Sequence, residues 1–165
     1  MGGHDVRAGT SLVATVLNEE RTLPAFLTWL GAQTLHPAEI VIVDGGRAER
    51  SAPLLGESAP PCGCRIDVEV APGVGISAGR NLAIGRARNP GIVVTDAGTA
   101  PHRDWFAAIT APWQRDADAV IAGFFEPAGD SFWSRTIAAV TTPILSEIDP
   151  ARFLPSSRSV AFPRV

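Results

Sequence analysis

Polar residues recur at one kind of place in this sequence, directly after short β-branched apolar runs. Asn18 and Glu19 follow SLVATVL (Ser11–Leu17), Asp44 follows EIVIV (Glu39–Val43), the turn Gly73-Val74-Gly75 follows RIDVEV, and Asp96 follows GIVVT (Gly91–Thr95). Carboxylates and amides placed this way can accept hydrogen bonds from the hydroxyl and N–H groups of a ligand. A glycine turn that opens a helix presents backbone amides to a phosphate. Any single Asp or Asn after a strand commonly closes a turn or caps a helix. Their joint placement at successive strand ends points instead to one crevice, because open α/β sheets bind ligands beyond the carboxyl ends of their strands.

The elements that must hold these residues alternate in type. Ser11–Leu17 reads as a strand, and Thr22–Leu30 places Leu23, Phe26, Leu27 and Leu30 at helical intervals. Glu39–Val43 is a second buried-type strand, followed by a weak helix interrupted by Pro53 and by the loop Ala59–Gly63. Arg65–Val70 alternates like a strand. Ile76–Ala87 carries Ile76, Leu82, Ala83 and Ile84 on a helix, and Gly91–Thr95 makes a fourth strand. Further on, Arg103–Thr110 reads as helix, Ala119–Phe125 as strand, Phe132–Leu145 as apolar helix and Ser159–Phe162 as a last strand. This alternation predicts an α/β fold: a mostly parallel sheet with helices on both faces, a Rossmann-like three-layer sandwich.

The segment from Gly73 to Gly79 is one residue longer than a dinucleotide-binding fingerprint, and Asp96 closes the next strand about where that fingerprint places a ribose-binding carboxylate. A nicotinamide-dinucleotide module is therefore the rival reading. The strand order separates the two, since the fingerprint belongs to the first strand of its fold and this turn follows the third.

The stretch SLVATVLNEERTLPAFLTWLGAQTLHPAEIVIVDGG, followed by GISAGRNLAIGRARNPGIVVTDAGTAPHRDWF, resembles the inverting family 2 glycosyltransferases of the GT-A fold, in order as well as content. The resemblance covers Ser11 to Val120 well and the rest more loosely. It implies a donor nucleotide pocket built from Thr15, Asn18, Glu19, Asp44, Gly79, Arg80, Asn81 and Asp96, with Asp44 toward the base or ribose and Arg80 near the nucleotide. The family's Asp-x-Asp falls on Asp96-Ala97-Gly98, so Asp96 is the implied metal ligand while Gly98 replaces the second carboxylate. Gly45 stands where many relatives carry another Asp. The resemblance thus implies a hexosyltransferase using a nucleotide-diphosphate sugar such as a UDP-sugar, with Mg²⁺ or Mn²⁺ of doubtful use and no organic cofactor. The acceptor, a glycan, lipid or small molecule, is left open, and cell-envelope polysaccharide synthesis is a compatible setting. A noncatalytic binding or assembly subunit is the other alternative.

Family members place their catalytic base in a later acceptor half. The expectation is that residues 1–10 form a flexible N-terminus and 11–165 a donor-binding domain incomplete at its C-terminus, with the base beyond Val165; Glu147 and Asp149 precede PSSRSVAF, which resembles the strand before that base.

Composition narrows the rest. The 165-residue chain is 45% hydrophobic and 19% charged, enough apolar content for a packed core. A net charge of -3, with every basic residue an Arg, leaves no electrostatic footprint for nucleic acid. No apolar run reaches membrane-spanning length and no secretory h-region opens the chain. The expected location is cytoplasmic, including the inner membrane face, with homo-oligomers and peripheral membrane contact left open. Cys62 and Cys64 flank one glycine, a spacing too tight for an easy disulfide and half the ligands of a structural zinc site. His4, His36 and His102 are dispersed and read as surface residues, and Trp105 reads as a core contact able to edge a sugar pocket.

Overall fold

The computed structural model describes residues 9–17, 22–46, 63–126, 131–142, 144–154 and 156–164. Its strands are β1 (Thr10–Val16), β2 (Glu39–Asp44), β3 (Arg65–Val70), β4 (Gly91–Asp96), β5 (Ile121–Ala122) and β6 (Ser159–Pro163). Its α-helices are α1 (Leu23–Gly31), α2 (Ile76–Arg86), α3 (Trp105–Thr110) and α4 (Phe132–Thr141). The strands form one sheet in the order β3-β2-β1-β4-β6-β5. β1 pairs in parallel with β2 and β4, and β2 with β3. β6 runs antiparallel to both β4 and β5.

Burial explains the composition of each strand. β1 and β2 are covered on both faces along their whole length and accordingly read as unbroken apolar runs. β3, at the edge, is only partly covered and alternates in sequence. On one face Leu12, Ala14, Val16, Ile40, Ile42 and Val93 pack against Phe26, Leu27 and Leu30 of α1 and Phe106 and Ile109 of α3. On the other face Val13, Val41, Val43, Ile92 and Val94 pack against Ala83 of α2. The three-layer arrangement expected from the alternation is thus present.

Several expected elements differ in detail. The first strand begins at Thr10, whose carbonyl accepts from the Ala38 amide, and residues 1–8 of the expected flexible N-terminus lie outside the described ones. In α2 the residues facing the sheet are Gly79 and Ala83, while Ile76 and Leu82 are exposed. Small side chains win there because the helix sits close to the strands. The strand expected over 119–125 shrinks to Ile121–Ala122, the residues in ladder register with Val160 and Ala161 of β6. The weak helix around Pro53 lies outside the described residues. Cys64 is disulfide-bonded, against the expectation from spacing, and Gly63 before it takes φ 64, a left-handed conformation that a glycine adopts without strain.

Long-range polar contacts fix the ends of the elements. Gln33, buried after α1, accepts at Oε1 from the Phe106 amide (3.0 Å) and donates from Nε2 to the His102 carbonyl (2.9 Å), so it satisfies a free amide at the start of α3. At the amino ends of β1 and β2, buried Glu39 accepts at Oε1 from Ser11 Oγ (2.7 Å), the Arg88 amide (2.6 Å) and Asn89 Nδ2 (3.2 Å). Arg164 closes the same end, donating to the Gly85 and Ala87 carbonyls at the C-terminal end of α2.

Glu39 therefore holds the start of β2 to the turn that feeds β4. Glu39→Ala strands buried donors and should lower unfolding free energy by about 2–3 kcal/mol in urea titrations. A loss below about 0.5 kcal/mol, the scale of an ordinary surface change, would contradict this role.

Candidate nucleotide-sugar site

The sheet brings Thr15, Asp44 and Asp96 to one edge. Thr15 is level with both Val43 and Asp96, and Val16 with Asp44, so the three lie at the carboxyl ends of adjacent parallel strands. The chain winds from β1 outward to β2 and β3, then crosses back through α2 to β4 on the other side of β1. That reversal between β1 and β4 is the topological switch point where α/β sheets open a crevice. The glycine turn follows β3, at the outer edge of the sheet, so the dinucleotide reading fails on topology.

Asp96 is the most strongly engaged of these residues. Its Oδ1 takes a hydrogen bond from Arg80 Nη2 of α2 at 2.6 Å, and its Oδ2 lies 3.7 Å from Arg158 Nε, just before β6. Arg80 and Asp96 are largely covered, whereas the Arg158 side chain is 55% exposed. The Arg158 guanidinium stacks over the Phe125 ring, 5.1 Å from its centroid. Behind Asp96 the chain turns sharply: the Asp96 carbonyl accepts from Thr99 Oγ1 (2.7 Å) and from the Thr99 amide (3.1 Å). The turn leaves Gly98 exposed beside a cavity of about 650 Å³ lined also by Asp96, His102, Trp105, Phe125 and Arg158.

Asp44 is fully buried. Its Oδ1 accepts from the Gly46 amide at 2.8 Å, while Oδ2 is buried without a partner among the described residues. Such an unmet acceptor is rare enough in folded proteins to call for a donor. Next to it, Gly45 donates to the Val16 carbonyl (2.9 Å) and accepts from the Gly73 amide (3.0 Å). A Cβ on Gly45 would overlap the Val74 carbonyl oxygen. The glycine turn after β3 thus fills the space that a second carboxylate after β2 would need.

The remaining expected site residues divide. Gly79 is buried, and a Cβ there would stand 3.4 Å from Thr15 Cγ2 and from Val43 Cγ1. Gly79 and Thr15 therefore form the close packing of α2 on the sheet, one layer beneath the site. Asn81 is exposed on α2. Asn18 and Glu19 lie outside the described residues. Of the histidines, His102 borders the cavity and is well exposed, and His36 is partly exposed with its Nδ1 buried and without a partner among the described residues. Trp105 donates from Nε1 to Ser159 Oγ (2.9 Å) while packing against the core, so it both joins the core and edges the cavity. Reading the residues in order missed Arg158, Phe124 and Phe125, which reach the site only through the antiparallel return of β6.

The described donor set does not fit a resident divalent cation. Both Asp96 oxygens face guanidinium groups, Gly98 offers no side chain, and among the described residues no group of three His, Cys, Asp or Glu could hold a metal ion. Gly45→Asp, which puts a second carboxylate after β2, should destabilise the fold by about 1–3 kcal/mol through the clash with the Val74 carbonyl. Wild-type stability of that variant in urea titrations would contradict the geometry.

Comparison with solved structures places this architecture. Over 93% of its length the chain is similar to 44% of a mannosyltransferase from Pyrobaculum calidifontis solved with GDP-Man and Mn²⁺ (20% identity, TM-score 0.62). Over 99% it is similar to 61% of glucosyl-3-phosphoglycerate synthase from Mycobacterium tuberculosis (17% identity, TM-score 0.61). Over 68% it is similar to 34% of TarS 1–349 from S. aureus (17% identity, TM-score 0.59), a protein also solved with UDP-GlcNAc. The chain spans between about a third and three-fifths of the length of these proteins. They show a GT-A-like fold. A search of curated protein sequences finds no match. The family model described as glycosyl transferase family 2 matches residues 11–160, nearly the whole sheet from β1 to β6, and the chain belongs to that family of transferase enzymes.

Proposed function

We propose that this chain carries the donor-binding half of a glycosyl transfer from a nucleoside-diphosphate sugar. The observation that carries the reading is Asp96, held at the β1–β4 junction by Arg80 and opening onto a cavity of about 650 Å³. In this reading Asp96 accepts a hydrogen bond from a ribose hydroxyl, and the unmet Asp44 oxygen takes an N–H or O–H of the base or ribose. The diphosphate extends past Gly98. In an inverting transfer the acceptor oxygen bonds to the anomeric carbon as the bond from that carbon to the β-phosphate oxygen breaks. The electron pair leaves on the diphosphate, and the acceptor proton passes to a base in the acceptor half. Guanidinium groups placed beside the leaving oxygens stabilise the charge that develops there.

UDP and GDP are the first nucleotides to test, because similar folds are solved with UDP-GlcNAc and with GDP-Man. Trp133, Ile137 and Val140 of α4 are exposed apolar residues, and they support a peripheral or subunit contact through that helix.

The ribose assignment has a direct readout. The wild-type chain should bind a ribonucleoside diphosphate more tightly than its 2′,3′-dideoxy analogue by about 1.5–3 kcal/mol, the scale of a hydrogen bond to a charged acceptor. Asp96→Ala should abolish that preference in calorimetric titrations. An unchanged preference in the variant removes Asp96 from the ribose.

A further inference from the structure

We propose that Arg158 takes the electrostatic role in this chain that a divalent cation would have beside Asp96, holding the donor diphosphate and carrying the charge of the leaving group. The inference rests on the donor-binding reading above and assigns the residue that makes its phosphate site.

Three observations meet at this residue. The first is the state of Asp96, whose two oxygens are each matched to a guanidinium: Oδ1 to Arg80 and Oδ2 to Arg158. A cation at that carboxylate would stand against two positive charges, whereas an anion there would meet them favourably. The second is Gly98, which removes the side chain that would draw a cation into the turn and leaves space beside the carboxylate. The third is how Arg158 is presented. It touches Asp96 loosely and through Nε, at 3.7 Å, so among the described residues the Nη edge is left to form the two-donor fork that suits a phosphate. The guanidinium carbon lies over the Phe125 ring, 5.1 Å from its centroid, a cation–π contact already made without a ligand.

The backbone carrying Arg158 is also fixed. Ser159, the next residue, is buried; its Oγ accepts from Trp105 Nε1 and its carbonyl from the Gly123 amide at 2.9 Å. Arg158 therefore projects from the end of an anchored strand into the cavity shared by Asp96 and Gly98. Glu126 lines the same cavity and is exposed, so it is the described carboxylate that a cation could still recruit.

The test is calorimetric titration of the full chain with UDP and GDP, in EDTA and in Mn²⁺, for the wild type and for Arg158→Gln, Arg158→Lys and Glu126→Gln. The wild type should bind a diphosphate in EDTA and gain less than about threefold from Mn²⁺. Arg158→Gln should lose about tenfold or more in diphosphate affinity, a typical loss for one charged hydrogen-bonding partner, while its affinity for the monophosphate changes by less than about twofold. Arg158→Lys should recover part of the loss, because it restores charge without the planar fork. Tightening of the wild type by Mn²⁺ above about thirtyfold, roughly 2 kcal/mol, and lost in Glu126→Gln, would give the role to a cation and overturn the proposal. Undiminished diphosphate binding by a folded Arg158→Gln variant would overturn it as well. If the wild type binds neither nucleotide in either condition, the donor reading itself fails and the role of Arg158 falls with it.

Discussion

The Arg80–Asp96 pair ties α2 to the end of β4, and the form of the site depends on it. A carboxylate at a strand end surrounded by packed apolar side chains is costly unless a charge and a hydrogen bond meet it. Arg80 supplies both at 2.6 Å with little exposure to solvent. The contrast with Arg86 on the same helix is instructive. Arg86 bonds Asp67 and Glu69 on the edge strand, and its guanidinium pKa is raised by the hydrogen bond to Asp67 and then by the neighbouring charges. That cluster is open to water, where such pairs contribute little. The Arg80 pair, by contrast, fixes the direction in which Asp96 can offer its second oxygen.

That pair can form only because α2 lies close to the sheet. Gly79, one residue before Arg80, leaves room for Thr15 and Val43 beneath the helix. The hydrogen bonds from Ala71 to Asp44 and from Gly73 to Gly45 lay the preceding turn across the end of β2. The same approach explains a departure from the family pattern. With the Val74 carbonyl against Gly45, a second carboxylate after β2 is excluded by sterics. Of the glycines that looked like phosphate-binding elements in the sequence, Gly79 acts through packing, whereas Gly73 and Gly75 have open space where a Cβ would stand.

Much of this was legible in the residue order. β1, β2 and β4 are buried on both faces and stand out as unbroken apolar runs ended by Asn, Asp or Gly, so their carboxyl ends could be located within a residue. The face of α1 could be read in the same way, from Leu23, Phe26, Leu27 and Leu30. What escaped depends on contacts far apart in sequence. β6 pairs with β4 across more than sixty residues, and no local pattern announces that Arg158 will return to Asp96. Nor does periodicity mark Gln33 as the partner of the Phe106 amide or Gly79 as a packing residue. Ile76 and Leu82, apolar and at plausible spacing, misled because helix proximity favoured the smaller side chains.

A crystal structure of this chain with a bound nucleoside diphosphate tests the central claim most directly. The account predicts the ribose against Asp96 at the ends of β1 and β4, with the β-phosphate within hydrogen-bond distance of the Arg158 guanidinium. A nucleotide seated on the glycine turn after β3, or phosphates held by a metal ion with Arg158 turned away, would contradict it.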